Sequence, residues 1–223
     1  MPLSLADMHR SLAVGATAEL AFGAWSETRL RDVITGAGFE ADTPDTIGPG
    51  DAGIRARVTR QRTLPDTVGP GMRLLVCGLN PSLHAADAGV GFVTPGNRFW
   101  PAALEAGLVS RDRDSRHAML CHGVGMTDLV KRATPRAAAL TADEYRTGLE
   151  RLGRLCAWLQ PRAVCVVGLA GWRAAVDGKA RSGWQDMALG ARPVYLMPST
   201  SGLNASATLD TLTEHLRAAS RST

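Results

Sequence analysis

The sequence predicts an α/β fold in three layers, with helices on both faces of a central, mostly parallel sheet and an N-terminal extension before it. Three short and almost wholly apolar runs, MRLLVCG, AVCVVGL and RPVYLMP, are typical of strands buried on both faces. Helical patterns separate these runs along the chain, as parallel strands require. Gly or Pro stands at or directly after the end of each run, so that a loop follows each strand abruptly.

The clearest predicted helix is TADEYRTGLERLGRLCAWLQP. Thr141 and Glu144 form a capping-box pattern, an apolar stripe follows at helical spacing, and Pro161 stands after the end. Shorter helices are predicted over GNRFWPAALEAGL, which Gly107 ends, and over ASATLDTLTEHLRAA, with Ser206 near its N-cap. The mixed charges of SRDRDSRH predict an exposed loop.

Residues 1–70 differ from the rest and are predicted to be an N-terminal extension of unknown role, followed by the main domain at 71–223. SETRLRDVITGAGFE predicts a helix from about Glu27 that Gly36 and Gly38 end. IRARVTRQRTL alternates as a half-exposed strand does, and we interpret it as an edge strand protected by its arginines, which could also meet phosphates. PDTVGPG is interpreted as a linker.

Composition limits the classes of function. The formal net charge is +4, which fits an anionic partner such as nucleic acid or simply an arginine-rich genome. The sequence shows neither an apolar run long enough to span a bilayer nor a signal-peptide layout. We therefore expect a cytoplasmic protein that does not have a membrane as its partner. Neither the four cysteines nor the five histidines show metal-ligand spacing, and Cys77 and Cys165 are expected to be buried. We therefore predict no metal and no cofactor.

Three loops follow the predicted buried strands: GLNPS, VGLAGW and MPSTSG. The carboxyl ends of parallel strands face the ligand crevice of an open α/β sheet, so Asn80, fixed by Pro81, is expected there. The hydroxyl groups of the third loop suit phosphate oxygens, although a plain strand-to-helix loop would look alike. Phe92, in a glycine-rich loop, is either a packing anchor or a face for stacking a planar base.

The segments LLVCGLNPSLHAADAG, TPGNRFWPAALEAGL, GVGMTDLVKRAT and YLMPSTSGL, in this order, resemble the mismatch-specific uracil-DNA glycosylase and thymine-DNA glycosylase family. The resemblance covers about residues 72–218, and the GLNPS and PGNRFW motifs together are far more specific than either alone. It implies a uracil-DNA glycosylase-like fold. It also implies a monofunctional enzyme of base-excision repair that flips uracil or thymine from mismatched duplex DNA and hydrolyses the N-glycosidic bond, leaving an abasic site.

The resemblance places the catalytic asparagine of the family on Asn80, where an amide would orient a water. It implies a DNA-gripping loop at Thr200, Ser201 and Gly202, with Leu203 as a wedge in the duplex unless that side chain folds back into the core. The expected partner is double-stranded DNA with a mismatched or damaged base, bound by a monomer without cofactors. Asn97 and Arg98 are expected to brace the pocket and the helix start instead of touching the base. The residues expected to form the substrate-binding pocket are Gly78, Leu79, Pro81, Phe92, Asn97 and Ser199.

Two features leave the function open at this point. The last motif reads STSGLNA where bacterial-type members often carry NPSGLSR, and this serine-rich form is closer to the thymine-DNA type. Asp128 stands at a position that varies among members of the family, and it is given no role. The alternatives are a glycosylase of the same fold for an etheno or alkylated base, and a non-catalytic DNA-binding module. A nucleotide-binding Rossmann-like enzyme is disfavoured because neither G-x-G-x-x-G nor a P-loop occurs.

Overall fold

The structure is a computed structural model that describes residues 2–23, 25–41, 47–50 and 53–221. Its N-terminal part has an antiparallel sheet of its own. In chain order the elements of this part are α1 (Pro2–Ser11), β1 (Thr17–Phe22), α2 (Glu27–Gly36), β2 (Phe39–Ala41), β3 (Ile47–Gly50) and β4 (Gly53–Arg60).

Strand β4 is the centre of this sheet, not its edge. Strand β1 pairs with one side of β4 from Ile54 to Thr59, while β2 and β3 pair with successive parts of the other side. The interpretation of this segment as an edge strand is therefore wrong. The predicted alternation is confirmed, because Ala56 and Val58 are buried and Arg55 and Arg57 are exposed.

A separate apolar core supports the N-terminal sheet. Leu30 and Ile34 of α2 pack in one cluster with Ala56 and Val58 of β4. The helix predicted from Glu27 is confirmed: α2 begins there because the Ser26 side chain accepts from the amide of Arg29. This unit thus contains what a small sheet-and-helix layer needs, namely a sheet, a helix and buried side chains between them.

The rest of the chain forms a three-layer α/β/α domain around a five-stranded sheet of order β6-β5-β7-β9-β8. The predicted strand runs are found as β5, β7 and β9, and only β8 runs antiparallel to its neighbour. The elements are β5 (Leu74–Gly78), α3 (Leu83–Ala88), α4 (Phe99–Glu105), α5 (Ser115–His122), β6 (Val124–Asp128), α6 (Ala142–Leu159), β7 (Val164–Val167), α7 (Ala170–Ala175), β8 (Gly183–Leu189), β9 (Arg192–Met197) and α8 (Leu209–Ser220).

Each face of this sheet has its own core. Alternate residues of β5 point to opposite faces, so Leu74 and Val76 pack with α4 and α8, while Leu75 and Cys77 pack with α6. Cys77 and Cys165 are buried, as predicted, and are free thiols. No helix in the described part of the chain is both long and apolar enough to cross a bilayer.

Local details correct some of the expected boundaries. The capping box of α6 is present as predicted. Helix α5 starts at Ser115, inside the segment predicted as a loop, and α8 is capped by Thr208, not by Ser206. The antiparallel strand β8 and the strand β6 were not singled out from the sequence.

The segment PDTVGPG, interpreted as a linker, is buried instead. Thr67 and Met126 exchange two main-chain hydrogen bonds of 2.9 Å, which attaches this segment to β6. The amide of Asp66 also donates to the carbonyl of Gly36 at the end of α2. The segment is therefore packed against both the N-terminal unit and the main domain.

Candidate active site

A cavity of about 150 Å³ opens at the carboxyl ends of the parallel strands. A cavity of roughly this volume holds one six-membered ring in other proteins. Its walls come mainly from the GLNPS loop, the loop around Phe92, the end of β6 and the loop after β9. Leu64 before β5, Ala85 of α3 and Val167 at the end of β7 complete them. The structure thus brings together strand ends that are far apart in sequence, as the parallel order predicts.

Asn80 stands in the wall of this cavity with its amide fixed. Its Nδ2 lies 3.1 Å from the carbonyl of Pro81, 3.0 Å from the carbonyl of Arg132 and 2.8 Å from Oγ1 of Thr134. Carbonyl oxygens only accept, so the nitrogen must be the atom that faces them. No hydrogen bond from the described residues reaches Oδ1 of Asn80, which leaves this oxygen as an acceptor for a water.

The loop after β6 is what fixes Asn80. It runs alongside the GLNPS loop, because Leu129 and Val130 donate to the carbonyls of Gly78 and Leu79. Thr134 then donates its amide to the Pro81 carbonyl and its hydroxyl to the Arg136 carbonyl, so its lone pair is free to accept from Asn80. Thr134 was given no role from the sequence, although it is the last residue of the GVGMTDLVKRAT segment, because its partner Asn80 lies 54 residues earlier in the chain.

Phe92 forms another wall. Its ring stacks on Phe99 with centroids 4.2 Å apart and an angle of 23° between the planes. Its backbone is left-handed, with φ of 59°, a conformation that a bulky side chain rarely adopts. This strain does not by itself mark a ligand site, because Arg113, Gln160 and Ala191 also have positive φ and lie outside the cavity wall.

Because Gly78 has no side chain, it leaves room in the cavity for the Asp128 carboxyl group and the Phe92 ring. A Cβ at this residue would lie 2.5 Å from Oδ1 of Asp128 and 3.4 Å from the tip of the Phe92 ring. Asp128 is the last residue of β6, and its partly buried carboxyl group lines the cavity. Burial raises the pKa of Asp128 to about 6, with Asp66 adding to this effect and Lys131 and Arg151 opposing it.

Behind the cavity lies a buried charged cluster centred on Asp66. Its carboxylate accepts from Nζ of Lys131 at 2.7 Å, from Nη1 of Arg151 at 2.8 Å and from the Thr127 hydroxyl at 2.6 Å. Burial by itself would raise the pKa of Asp66, but Arg151 and Lys131 together bring it below its ordinary value. Thr63 donates its hydroxyl to the Lys131 carbonyl, so the chain before β5 holds the start of the loop that fixes Asn80.

The loop after β9 is braced from inside and carries an exposed apolar tip. Arg98 donates to the carbonyls of Ser201 and Asn204 at 3.1 and 2.7 Å. Gly202 packs against the backbone of Gly96, where a Cβ would come within 3.0 Å of the Gly96 carbonyl oxygen. Leu203, at the tip, is 96% exposed, so the alternative that it folds back into the core is wrong.

Nine of the residues predicted to form the site line this cavity. Asn97 uses its side-chain oxygen to accept from the amide of Phe99, which fixes the start of α4. Gly202 and Leu203 lie outside the cavity wall. In the described residues, no group of His, Cys, Asp and Glu side chains is arranged to hold a metal ion. The predicted residues that line the cavity are Gly78, Leu79, Asn80, Pro81, Phe92, Asn97, Ser199, Thr200 and Ser201.

A larger cavity, of about 660 Å³, lies between α2 and the loop at 131–133. Although it is larger, this cavity is a poorer candidate for an active site, because each basic side chain in its wall already has an acidic partner. These pairs are Arg31–Glu27, Arg62–Asp87, Lys131–Asp66 and Arg132–Glu144. We therefore assign the candidate active site to the smaller cavity.

Comparison with protein families decides the affiliation. The family model described as the uracil DNA glycosylase superfamily matches residues 65–220, which is more than half of the chain and includes every wall of the cavity except Leu64. The chain belongs to this superfamily. Members of the uracil DNA glycosylase superfamily are DNA glycosylases, hydrolases of DNA repair, and this general activity extends to the present chain.

One solved structure is also similar to part of this chain. The solution NMR structure of a uracil DNA glycosylase candidate from Methanosarcina acetivorans is 16% identical and is matched over 69% of this chain and 92% of its own, with a TM-score of 0.44. The match spans about the length of the main domain. The family match begins at residue 65, within the buried segment that was interpreted as a linker.

Proposed function

We propose that this superfamily member is a monofunctional glycosylase of the mismatch-specific uracil and thymine type. It flips uracil or thymine, or a related damaged base, out of a mismatched duplex and leaves an abasic site. It acts as a monomer, without a cofactor, in the cytoplasm and with the nucleoid if the source is bacterial. The four motifs quoted above support the subfamily, and the fixed amide of Asn80 is the observation that carries the chemistry.

The geometry of Asn80 suits water activation by orientation. In hydrolysis the oxygen of a water bonds to C1′ of the sugar, the bond from C1′ to the base nitrogen breaks, and the base leaves with the electron pair. The free Oδ1 can hold one proton of that water and so aim its lone pair at C1′. An amide is not a strong base, so the water loses its proton, to solvent water, only as the bond to C1′ forms.

The remaining walls fit a flipped pyrimidine. The cavity has the volume of a single ring, and Phe92 offers an aromatic face beside it. Ser199 and Ser201 are partly exposed in the cavity wall, and their hydroxyl groups suit the phosphates next to the flipped nucleotide, whereas Thr200 is only 1% exposed. The exposed side chain of Leu203 supports its role as the wedge that would fill the gap in the base stack.

The lysines argue for hydrolysis without strand cleavage. Cleavage at the abasic site needs a free amine that forms a Schiff base with the sugar. Lys131 is buried and paired with Asp66, and Lys179, the other lysine of the sequence, lies outside the cavity wall. Among the described residues, no amine of the cavity wall is therefore available for a covalent lyase step.

Replacing Asn80 by Ala tests the proposal. We expect single-turnover release of uracil from a G:U duplex to fall about 10²–10³-fold, the usual loss for one oriented hydrogen-bonding group. Duplex affinity should change little, because the amide holds a water and not the DNA. The measurement is alkaline cleavage of the abasic product at saturating enzyme, with affinity measured separately by fluorescence anisotropy.

The substrate panel separates the alternatives. Duplexes carrying uracil, thymine, an etheno base and an alkylated base, each opposite guanine, are compared under the same conditions. Preferred release of an etheno or alkylated base would contradict the subfamily assignment. Tight binding without release of any base would show a non-catalytic DNA-binding member, and excision by Asn80→Ala at the parent rate would refute the role of the amide.

A further inference from the structure

The Phe92 loop, residues 89–92, follows α3 and carries the aromatic wall of the cavity. Both Gly89 and Phe92 have a left-handed backbone, with φ of 68° and 59°. A bulky residue keeps such a conformation only where the surrounding structure holds it there. The groups that hold this loop therefore decide where the Phe92 ring lies.

One of these groups comes from the first helix of the chain. In the last turn of α1, Arg10 donates from Nε to the carbonyl of Gly89 at 3.4 Å and from Nη2 to Oγ1 of Thr67 at 3.0 Å. Thr67 is itself attached to β6 through its main-chain hydrogen bonds with Met126. The guanidinium group of Arg10 therefore connects the Phe92 loop to the main sheet.

Two further contacts reach the same region from the segment after β4. Arg62 makes two hydrogen bonds, of 2.7 and 2.6 Å, to the carboxylate of Asp87 in the last turn of α3. Leu64 lies beside Gly91, where a Cβ would be 3.7 Å from its Cδ1. The chain before β5 thus holds the Phe92 loop just ahead of its start and again in its middle.

The main domain holds the loop near its other end. The indole N–H of Trp100 donates to the carbonyl of Gly91 at 2.9 Å, and the Phe92 ring stacks on Phe99. Neither of these contacts involves Gly89, where the chain turns out of α3. Fixing that turn is the part left to Arg10.

Arg10 is better suited to this task than Arg62. Its side chain is 27% exposed, whereas the side chains of Arg62 and Asp87 are 47% and 54% exposed and their attraction is screened by solvent. The planar guanidinium also presents separate nitrogens to Gly89 and Thr67, which fixes the direction of both hydrogen bonds. The family match begins at residue 65, so Arg10 belongs to the part of the chain outside it.

We propose that Arg10 is a positioning residue for the Phe92 loop, through which the N-terminal unit aligns the aromatic wall of the cavity with the flipped base. This inference rests on the proposed function and gives the N-terminal unit a part in it. Arg10 lies outside the cavity wall, so it acts through Gly89 and the Phe92 ring and not by contact with the base.

Arg10→Met tests the proposal, because it removes the donors and keeps most of the apolar stem. We expect single-turnover release of uracil from a G:U duplex to fall about tenfold at saturating enzyme, since a slightly misplaced group in an active site can cost as much as about 10²-fold. Arg10→Lys should fall similarly, because its ammonium group keeps the charge without the planar fork. Fluorescence anisotropy should show little change in duplex affinity for either variant.

Arg154→Met is the matched control. Arg154 of α6 makes two hydrogen bonds, of 2.7 and 2.9 Å, to the carboxylate of Asp32 in α2. It thus joins the N-terminal unit to the main domain as Arg10 does, but outside the cavity wall and the Phe92 loop. Its replacement should leave the rate of uracil release unchanged.

The Phe92→Ala background shows whether Arg10 acts through the ring. Arg10→Met should cost about tenfold in the parent and at most about twofold in Phe92→Ala, because no ring is then left to align. Partial unfolding would instead lower the rate equally in both backgrounds. Hydrogen exchange followed by mass spectrometry gives a readout without activity: exchange should become faster at residues 88–92 in Arg10→Met and stay unchanged at 131–134.

Each outcome decides a separate point. A parent-like rate in Arg10→Met, an equal loss in both backgrounds or unchanged exchange at residues 88–92 would overturn the inference and leave the proposed function standing. A parent-like rate in Arg10→Lys would also overturn it, since the charge and not the two hydrogen bonds would then matter. If Phe92→Ala releases no measurable uracil, the exchange at residues 88–92 decides alone.

Failure of the proposed function would look different. The parent would then release no uracil although circular dichroism shows that it is folded, and the inference would lose the reaction on which it rests. Hydrogen exchange in Arg10→Met would still decide whether Arg10 holds the Phe92 loop, so the two failures are distinguishable.

Discussion

The two sheets of this protein place their polar residues differently. In the N-terminal unit, Arg55 and Arg57 alternate with buried residues along β4 and face solvent. In the main domain, β5 is buried along its whole length, and polar residues such as Asn80 and Ser199 follow at the strand ends. An antiparallel sheet can expose one face to water. A parallel sheet covered on both faces binds ligands at the carboxyl ends of its strands.

The N-terminal unit supplies almost none of the cavity wall, yet it is connected to the loop after β6 that fixes Asn80. Its contribution is made through the buried segment before β5, where Thr63 and Asp66 bind Lys131. Lys131 directly precedes Arg132, whose carbonyl holds Asn80. On its other side this segment meets α2: Gly36 has no side chain, and a Cβ there would lie 2.5 Å from Asp66.

The largest effect is expected where the two regions join. Asp66→Asn leaves Lys131 and Arg151 as buried cations without an anion, so the free energy of unfolding should fall by about 3–5 kcal/mol. Urea denaturation followed by circular dichroism measures it. Asp87→Asn removes an exposed partner of Arg62, in a pair screened by solvent, and should leave the free energy of unfolding nearly unchanged. Equal losses in the two variants would show that Asp66 does not join the regions.

An intermediate effect is expected inside the N-terminal unit. Burial, aided by the nearby cations Arg60, Lys131 and Arg10, lowers the pKa of His9 to about 4, although a hydrogen bond to the Gln61 carbonyl opposes this. Between pH 6.5 and pH 4 the unfolded chain takes up a proton at His9 and the folded chain does not. Stability should therefore fall with decreasing pH in that window, by roughly 3 kcal/mol in total, and level off below it.

The His9→Gln variant isolates this contribution. It cannot take up the proton, so the difference between the parent and variant curves of unfolding free energy against pH should show this dependence. His84→Gln serves as the control for removing a histidine as such. If the curves of the parent and His9→Gln run parallel from pH 6.5 to pH 4, the N-terminal unit does not bury this histidine in solution.

The smallest effect on stability is expected at the exposed tip of the main domain. Leu203→Ala removes a side chain that is 96% exposed, so the melting temperature should stay nearly unchanged. Activity should respond to base pairing: a wedge is needed most where the target base is stably paired and least in single-stranded DNA. Single-turnover excision from both substrates checks this, and equal losses on the two would contradict the role of a wedge.

Features encoded over a short stretch of chain could be predicted. The strands β5, β7 and β9 are continuous apolar runs, and α6 carries its capping box and its apolar stripe in its own sequence. The position of Asn80 followed from the abrupt end of a buried strand before a proline. The strand β8 escaped prediction because most of its residues are not buried, so it lacks an apolar run.

Features made by distant partners could not be predicted. Asp66 lies in a stretch rich in proline and glycine, and its two cationic partners come 65 and 85 residues later. Thr134 holds Asn80 across 54 residues. The pKa of Asp128 depends on burial and on three charges from separate segments, which no local pattern contains. The sequence thus indicates which groups act but not which groups hold them in position.

The left-handed backbone of Phe92 has a consequence for the evolution of this enzyme. A glycine there would adopt the same backbone without strain, whereas a bulky residue in this region is disfavoured by about 1–3 kcal/mol. The stack of the ring on Phe99 offsets this strain in the folded protein, so Phe92→Gly would remove both together. Such a variant would keep the turn and lose the aromatic wall of the cavity, so libraries at residue 92 need to be screened by activity as well as by melting temperature.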